Sequence, residues 1–301
     1  MFDDENTFEF LTPSSDLAEV LNAQQTMEAA LLKAPRPALN SPWATYPWAP
    51  FSRELARFAL ALKGFSLDTP TPEYEILHML STELSLMAPQ DLKAQFLHIV
   101  EGNPISRLYR ALTETSNVRS LLKNENALGW SGFVAMSTDR EAERALRRRR
   151  MIVDFFREKG DWSQIRALEI SQALALIWLA EEAGMISAAE AVAYKKRCTT
   201  EVTVRFNSWN SFAAALLRSR LFVEAHQESP ELLATLEKDT QFLTEALSGA
   251  WAAIPWPERT DCESYLTLKA GCFLRNNRPF CYLPQRLWPS LQLRKWFKFA
   301  H

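Results

Sequence analysis

Glu169 is the residue in this 301-residue chain whose surroundings most resemble those of a catalytic acid or base. It lies within residues 163–183, a segment that is apolar on nearly every side, and burial raises the pKa of a carboxyl because it disfavours the charged form. An enzyme, for example a hydrolase, could combine Glu169 with Arg220 and His226, which are distant in the sequence. The structural alternative is that Glu169 reaches the surface or forms an ion pair. The arginines that could form this pair are Arg166, Arg205 and Arg220.

Ser208 is a second candidate for chemistry, because a serine hydroxyl becomes a nucleophile when a neighbouring base activates it. The sequence around Ser208 contains neither a G-x-S-x-G turn nor an adjacent histidine. Its place just before an apolar run instead predicts the N-cap of a helix. We therefore expect Ser208 to have a structural role.

The cysteines and histidines do not have the spacing that a metal site requires, although three of the four cysteines lie within twenty residues near the C-terminus. No two cysteines form a C-x-x-C pair, and the four histidines have no close spacing. The sequence also lacks the glycine motifs that bind phosphates or dinucleotides, the H-E-x-x-H motif and a calcium-binding loop. We therefore expect neither a metal nor a cofactor.

A run of arginines on a predicted helix is the most concentrated charge in the chain. It comprises Arg144, Arg147, Arg148, Arg149 and Arg150. Such a run can bind an acidic protein or phosphates, but the formal net charge of −2 disfavours nucleic acid as the partner. Nearby carboxylates at helical spacing could instead neutralise the run as a solvated, salt-bridged face. Both interpretations stay open, and the five arginines are our candidate binding surface for a protein.

The elements that position these residues are predicted to be helices. Apolar residues recur at helical spacing, and only 8 glycines occur in the chain. We predict an all-α, mainly helical array with short loops, in which residues 163–183 lie at the centre of the core. The predicted helices cover residues 16–33, 52–63, 73–87, 90–100, 104–115, 138–159, 163–183, 187–200, 208–221 and 229–248.

Composition divides the chain into three regions. Residues 1–50 contain an acidic arm, one helix and a linker in which five prolines exclude regular structure. Residues 51–135 form an N-terminal helical region, and residues 136–301 form a helical domain. That domain ends in an aromatic tail, after Trp256, which we predict to be a small β-hairpin or an irregular segment packed on the helices.

A short aromatic pattern, W-A-x-x-P-W, occurs twice, at residues 43–48 and 251–256. The flanking residues do not extend the match, so the pattern indicates a recurring structural device and not a duplication. We expect a compact turn in which both indoles, for example Trp251 and Trp256 around Pro255, fill gaps in the core. The alternative is a platform for a ligand.

Several segments of the second half resemble one bacterial protein family. They are A-G-x-I-S-x-x-E-A at residues 183–191, R-F-N-S-W at residues 205–209, which contains Phe206, Ser208 and Trp209, and S-R-L-F at residues 219–222. In this order and spacing they resemble the core of the family known as domain of unknown function 1266, and Pro255-Trp256 resembles the end of that family's pattern. The resemblance covers residues 167–256.

The chain departs from the family's pattern at its central helix. The family carries an Asp followed three residues later by an Arg, where this chain has Glu169 and Gln172, and Ser219 replaces a Gly. If the Asp and Arg formed a catalytic pair, this chain has altered it. The departure therefore counts against an enzymatic mechanism at that place, and the family itself implies no activity.

These observations predict a protein–protein interaction module, such as an adaptor, an immunity-like protein or an accessory factor. The alternative is an enzyme with a site around Glu169. The N-terminus is acidic where a secretory signal would be basic, and no apolar run approaches about eighteen residues without a charge. We therefore expect a cytoplasmic protein that has a protein partner and no contact with a membrane.

Overall fold

A computed structural model describes residues 14–35, 48–69, 71–82, 86, 88–102, 104–114, 139–156 and 165–257. Every regular element in these ranges is helical, which confirms the predicted all-α fold. The predicted hairpin or irregular tail after Trp256 and the first W-A-x-x-P-W pattern lie, apart from the helical backbone at Trp48, outside the described residues.

The helices follow one another with short connections wherever both ends of a connection are described. Their bounds are α1 Ser15–Lys33, α2 Trp48–Ala61, α3 Glu73–Thr82, α4 Pro89–Leu97, α5 Pro104–Glu114, α6 Asp139–Phe156, α7 Arg166–Glu182, α8 Ala188–Arg205, α9 Trp209–Val223 and α10 Ser229–Ser248. A π-helical turn, His98–Gly102, joins α4 to α5. The segment predicted as one helix over 90–100 therefore changes its winding after Leu97.

Two helices, α7 and α9, form the centre of the core. Of α7, only Gln172, Trp178, Glu181 and Glu182 escape full burial, so the described part of the predicted segment, residues 165–183, has the central place that the sequence predicts. In α9, every residue except Ser211 is buried. The two helices pack on each other and are covered by their neighbours, α7 by α2, α3, α4, α5 and α8, and α9 by α1, α6 and α10.

Polar contacts fasten the N-terminal helix α1 to α9. Asn210 donates hydrogen bonds from Nδ2 to the carbonyl oxygens of Leu31 (2.6 Å) and Ala34 (3.1 Å), which lie at the C-terminal end of α1. Arg218 forms a buried ion pair with Glu28 of α1. Among the described residues, α1 and α2 share one hydrophobic core with the later helices.

Serine side chains cap the first turns of α8 and α9, and the cap of α9 is the one predicted at Ser208. The Ser187 side chain accepts a hydrogen bond from the Glu190 amide, and the Glu190 carboxylate accepts one from the Ser187 amide. At α9 the Ser208 side chain accepts from the Ser211 amide at 3.1 Å. Both N-caps satisfy backbone donors that have no partner within the helix, so the structural role predicted for Ser208 is confirmed.

The second W-A-x-x-P-W pattern closes the core with an aromatic cluster. Trp209 stacks on Trp251 with ring centroids 4.8 Å apart, and Trp256 meets Trp209 edge-on at 5.1 Å. Phe51 of α2 and Phe206 complete the cluster through contacts with these rings and with Phe212. The compact turn predicted around Pro255 is therefore confirmed for residues 251–256.

Each indole nitrogen in this cluster has a carbonyl partner. Trp209 donates to Ile254 at 2.8 Å, Trp251 to Glu54 at 3.2 Å and Trp256 to Phe206 at 3.1 Å. A buried indole N–H without a partner would cost free energy, and these three bonds avoid that cost while they join the turn to α2 and α9. Within the described residues, no helix has the length and apolar character needed to cross a membrane.

Trp209→Ala is expected to lower the free energy of unfolding by about 3–5 kcal/mol, because it leaves a cavity where four aromatic rings meet. Urea denaturation followed by circular dichroism measures this change. Leu32→Ala, at an exposed position of α1, is the matched control. Equal stability of the two variants would contradict the central place of Trp209.

Candidate functional site

Glu169, in the first turn of α7, is fully buried and its carboxylate is surrounded by donors. Oε1 accepts hydrogen bonds from the backbone amides of Ile105 (2.6 Å) and Ser106 (3.2 Å), and Oε2 accepts from the Ser106 hydroxyl at 2.8 Å. Arg166, one turn earlier, donates to Oε2 at 2.8 Å. These amides belong to the first turn of α5, so Glu169 acts as an N-cap for a helix about sixty residues away in the chain.

Arg166 connects the same place to the π-helical turn. Its guanidinium donates to the carbonyl oxygens of Ile99 (3.4 Å) and Val100 (3.0 Å) and to the Glu201 carboxylate of α8 (2.9 Å). The π-helical turn therefore presents carbonyl oxygens, and the first turn of α5 presents amides, to the same ion pair. Arg166 donates to the carbonyls, and Glu169 accepts from the amides.

The pKa of the Glu169 carboxyl is raised by burial, while Arg166 and Ser106 oppose the shift. A raised pKa fits a general acid, but each oxygen already accepts two hydrogen bonds. A substrate would have to displace one of those bonds to reach the carboxyl. The structure therefore shows the ion pair that the sequence analysis gave as an alternative to catalysis. Its partner is Arg166, one of the three arginines considered.

The other two catalytic candidates, Arg220 and His226, meet at Glu224 in a separate network. Arg220 forms buried ion pairs with Glu224 and, through Nε at 2.9 Å, with Asp239 of α10. His226 is partly exposed, and its Nε2 lies 3.9 Å from the Glu224 carboxylate. Burial lowers the pKa of His226, with Glu224 opposing and Arg149 reinforcing the shift. The contacts of Glu169 lead to α5 and α8 and not to this network, so the three candidates do not form one site.

Arg148, Arg149 and Arg150 are buried, which corrects their assignment to a binding surface. Arg149 donates to the carbonyl oxygens of Phe222 (3.1 Å) and Val223 (2.9 Å), the last residues of α9. Arg148 donates to the carbonyl of Ala225 in the turn that follows α9 (2.8 Å). Arg150 donates to Leu112, in the last turn of α5 (2.6 Å), and pairs with Asp154.

These three arginines are C-caps supplied from α6 to the ends of two other helices. Burial lowers the pKa of Arg149 to about 10, with Glu224 opposing, so its guanidinium keeps its charge at neutral pH. A positive charge at the C-terminal end of a helix is favourable because the carbonyl dipoles point toward it. The binding surface predicted from the sequence is thereby reduced to Arg144 and Arg147.

Arg144 and Arg147 do lie at the surface. Their side chains are 64% and 50% exposed, and they pair with Glu228 and Glu143 respectively. This is the salt-bridged arrangement that the sequence analysis left open as the alternative to a binding strip. Because Glu228 and Glu143 largely balance the two positive charges, these arginines attract an acidic protein only weakly.

A pocket that the sequence analysis did not anticipate opens where α2, α3 and α7 meet. It has a volume of about 360 Å³, within the range of ligand pockets in proteins. Its floor is aliphatic and buried, and its rim carries aromatic, hydroxyl and charged side chains. The lining residues are Arg53, Leu60, Phe65, Ser66, Leu67, Asp68, Thr69, Thr71, Ile76, Trp178, Leu179 and Glu182. We call it the Trp178 pocket.

Trp178 is half-buried and has two cations near its ring. The guanidinium carbon of Arg53 lies 5.4 Å and the ammonium of Lys195 lies 5.9 Å from the ring centroid. Arg53 also donates to the carbonyl of Leu67. A feature of the sequence that could have indicated this pocket is Trp178 followed by Glu181-Glu182 at the end of an otherwise apolar segment. These residues mark the point where α7 reaches the surface.

Glu169→Gln is expected to lower the free energy of unfolding by about 3 kcal/mol, because the buried charge of Arg166 loses a partner. Glu182→Gln, at the exposed end of the same helix, is the control and should change stability by less than about 0.5 kcal/mol. Urea denaturation measures both. Wild-type stability of Glu169→Gln would contradict the capping role and favour a role for this carboxyl in chemistry.

Two arginines of α6 that differ in burial should differ in their contribution to stability. Arg149→Met should cost about 2–4 kcal/mol of unfolding free energy, because two buried carbonyls lose their donor. Arg147→Met should cost less than about 1 kcal/mol, since it removes only an exposed ion pair. Thermal and urea unfolding of the two variants test this, and a stable Arg149→Met variant would refute the C-cap.

Comparison with known proteins places the sequence in one family. No curated protein and no solved structure matches the chain. The pattern of the family described as Protein of unknown function (DUF1266) matches residues 104–256, so the match begins at the first residue of α5, well before the stretch 167–256 recognised from the sequence. It includes Ser106, Glu169 and the aromatic cluster apart from Phe51. The match covers half of the chain, and the protein therefore belongs to the DUF1266 family.

Proposed function

We propose that this protein is a cytoplasmic protein–protein interaction module that binds its partner at the Trp178 pocket. The observation that carries the proposal is this pocket, with its buried aliphatic floor, a half-buried indole and a rim of polar groups. Binding sites in proteins commonly combine an apolar base with a few polar groups that fix orientation. Tryptophan and arginine, both present here, are the residue types most often responsible for binding energy at interfaces.

The helix α3, which forms one wall of the pocket, adds apolar surface outside it. Tyr74 and Leu77 are 69% and 39% exposed, and Tyr74 is the most exposed large hydrophobic residue among those described. Both residues lie on the helix whose Ile76 lines the pocket, and contiguous apolar surface on a protein often marks a site that another protein covers. A partner that extends from the pocket over α3 would bury both.

The alternative, an enzyme around Glu169, receives less support. The hydrogen bonds of Glu169 all serve helix ends and an ion pair, and Arg220 and His226 belong to another network. Two of the ionisable groups that line the Trp178 pocket are engaged in structural contacts: Asp68 pairs with Arg57, whose Nη1 lies 2.7 Å from a carboxylate oxygen, and Arg53 donates to the Leu67 carbonyl. The pocket is therefore better suited to recognition than to proton transfer.

Site-specific photo-crosslinking in the native host tests the proposed function. A benzophenone amino acid is placed at Thr69, which is exposed and lines the pocket, and in a control at Val204, an equally accessible position on α8. We expect a discrete protein adduct from position 69 that is absent from position 204. The adduct should be lost with Trp178→Ala, in a variant whose circular dichroism and melting temperature show that it remains folded.

The same outcome at both positions, or no adduct at position 69, would contradict the proposal. An adduct that survives Trp178→Ala would show that a partner binds near α3 but does not use the pocket. Arg144→Glu/Arg147→Glu, tested in parallel, separates the pocket from the remaining candidate residues of the arginine run. If this second variant alone abolished the adduct, the binding surface would lie at α6.

A further inference from the structure

His226 lies in the turn between α9 and α10, at the place where α6 bonds to the end of α9. Its Nδ1 is 3.4 Å from the carbonyl oxygen of Val223, and that oxygen also accepts a hydrogen bond from Arg149 at 2.9 Å. Its Nε2 is 3.9 Å from the Glu224 carboxylate, and the side chain is 31% exposed. The imidazole therefore contacts a backbone group that attaches α6 to α9, at a position that solvent protons can reach.

The neighbours of His226 suit a neutral imidazole. In the tautomer that carries its proton on Nδ1, the ring donates toward Val223 and needs no proton on Nε2. The Glu224 carboxylate already accepts hydrogen bonds from Arg220 and, at 3.2 Å, from Gln227. At 3.9 Å it also lies beyond hydrogen-bond distance of Nε2. Glu224 therefore attracts a protonated His226 without forming a hydrogen bond to it.

Charged side chains reach this junction from several elements, and in its buried part the cations outnumber the carboxylates. The buried groups are Arg148 and Arg149 of α6, Arg220 of α9, Glu224 of the turn and Asp239 of α10. At the surface Arg144 pairs with Glu228, and Asp16 of α1 lies near enough to act on Arg148. A protonated His226 would therefore add to an excess of positive charge.

These surroundings determine how His226 responds to pH. Burial lowers its pKa from the ordinary value of 6.5; Glu224 opposes this shift, and Arg149 and Arg220 reinforce it. A histidine with a lowered pKa binds its proton more weakly in the folded chain than in the unfolded chain. Its contribution to stability is therefore fully present above pH 6.5 and is lost as the pH falls below that value.

We propose that His226 is a pH-sensitive latch, whose protonation in mild acid loosens the bonds by which α6 holds the end of α9 and the turn to α10. The imidazolium places a further positive charge beside Arg149 and Arg220, and it turns toward solvent at the cost of its contact with Val223. The junction shares no residue with the Trp178 pocket, so the inference does not depend on the proposed function.

Hydrogen exchange of the full-length chain at pH 7.5 and pH 5.5 tests the latch. Exchange is measured by mass spectrometry and corrected for the intrinsic effect of pH on amide exchange. We expect peptides that cover residues 220–230 to lose protection about threefold at pH 5.5, within the limit of tenfold per pH unit for one proton, while peptides of α8 keep theirs. In His226→Gln, which keeps a neutral polar side chain, protection should be equal at both pH values. His78→Gln, at an exposed position of α3, is the matched control and should behave like the wild type.

A titration followed by NMR reports proton uptake on the wild-type chain itself. The chain is prepared with ¹³C-labelled histidine, and the His226 signal is assigned from its loss in His226→Gln or His226→Asn. We expect its midpoint to lie below 6.5, because the folded junction disfavours the imidazolium. This measurement is decisive even where a variant is less stable than the wild type, since the variants serve only for assignment.

Three outcomes would overturn the proposal. A midpoint at or above 6.5 would mean that Glu224 holds the proton in the folded chain, so that acid strengthens the junction. An equal loss of protection in His226→Gln would assign the response to another group. A uniform loss across all helices would show general unfolding in acid and not the release of one junction.

Discussion

The backbone groups at the ends of buried helices are the constraint on which this structure depends. A helix leaves its first amides and last carbonyls without partners, and water cannot reach them once the helix lies inside a core. Here both ends of α5, the C-terminal ends of α1 and α9 and the π-helical turn receive hydrogen bonds from side chains of other helices. The side chains that reach such ends from elsewhere in the fold are Arg148, Arg149, Arg150, Arg166, Glu169 and Asn210.

Arginine suits the carbonyl ends for a physical reason. Its planar guanidinium presents five donors in a fixed geometry, so that one side chain can bond two adjacent carbonyls, as Arg149 does at Phe222 and Val223. The charge also complements the negative end of the helix dipole. A glutamate is the matching choice at the amide end, where Glu169 bonds Ile105 and Ser106. The most charged and the most reactive-looking residues of the sequence are thus the ones that hold the helices together.

Much of the fold could be predicted from the sequence because its signals are local. Apolar periodicity and the capping pairs at Ser187 and Ser208 depend on residues a few positions apart, and the helices predicted from them are observed. Two predicted segments depart from this among the described residues: Leu86, within 73–87, lies outside α3, and the helix predicted over 90–100 changes its winding after Leu97. For Glu169 the sequence left an ion pair, a surface position and a catalytic role open, and its contact with Ser106 could not be predicted because that residue lies 63 residues away. The burial of Arg149 could not be predicted from the sequence, because only the packing of α6 on α9 decides which arginines of the run face the core.

The packing of helices around α7 also explains why aromatic and polar side chains are accessible at the Trp178 pocket. Neighbouring helices cover α7 from Arg166 to Ile177, although Gln172 is covered only in part. At Trp178 the cover becomes incomplete, because α2 ends at Ala61 and the chain turns away toward α3. Gly64, with φ of +78°, permits that turn, a conformation that favours glycine. The loop then passes Leu67 and Asp68 over the side of α7, where Arg53 and Arg57 bind it. An apolar helix that would otherwise be covered is therefore accessible at one end, beside a loop held by ion pairs, and this is where we propose that a partner binds.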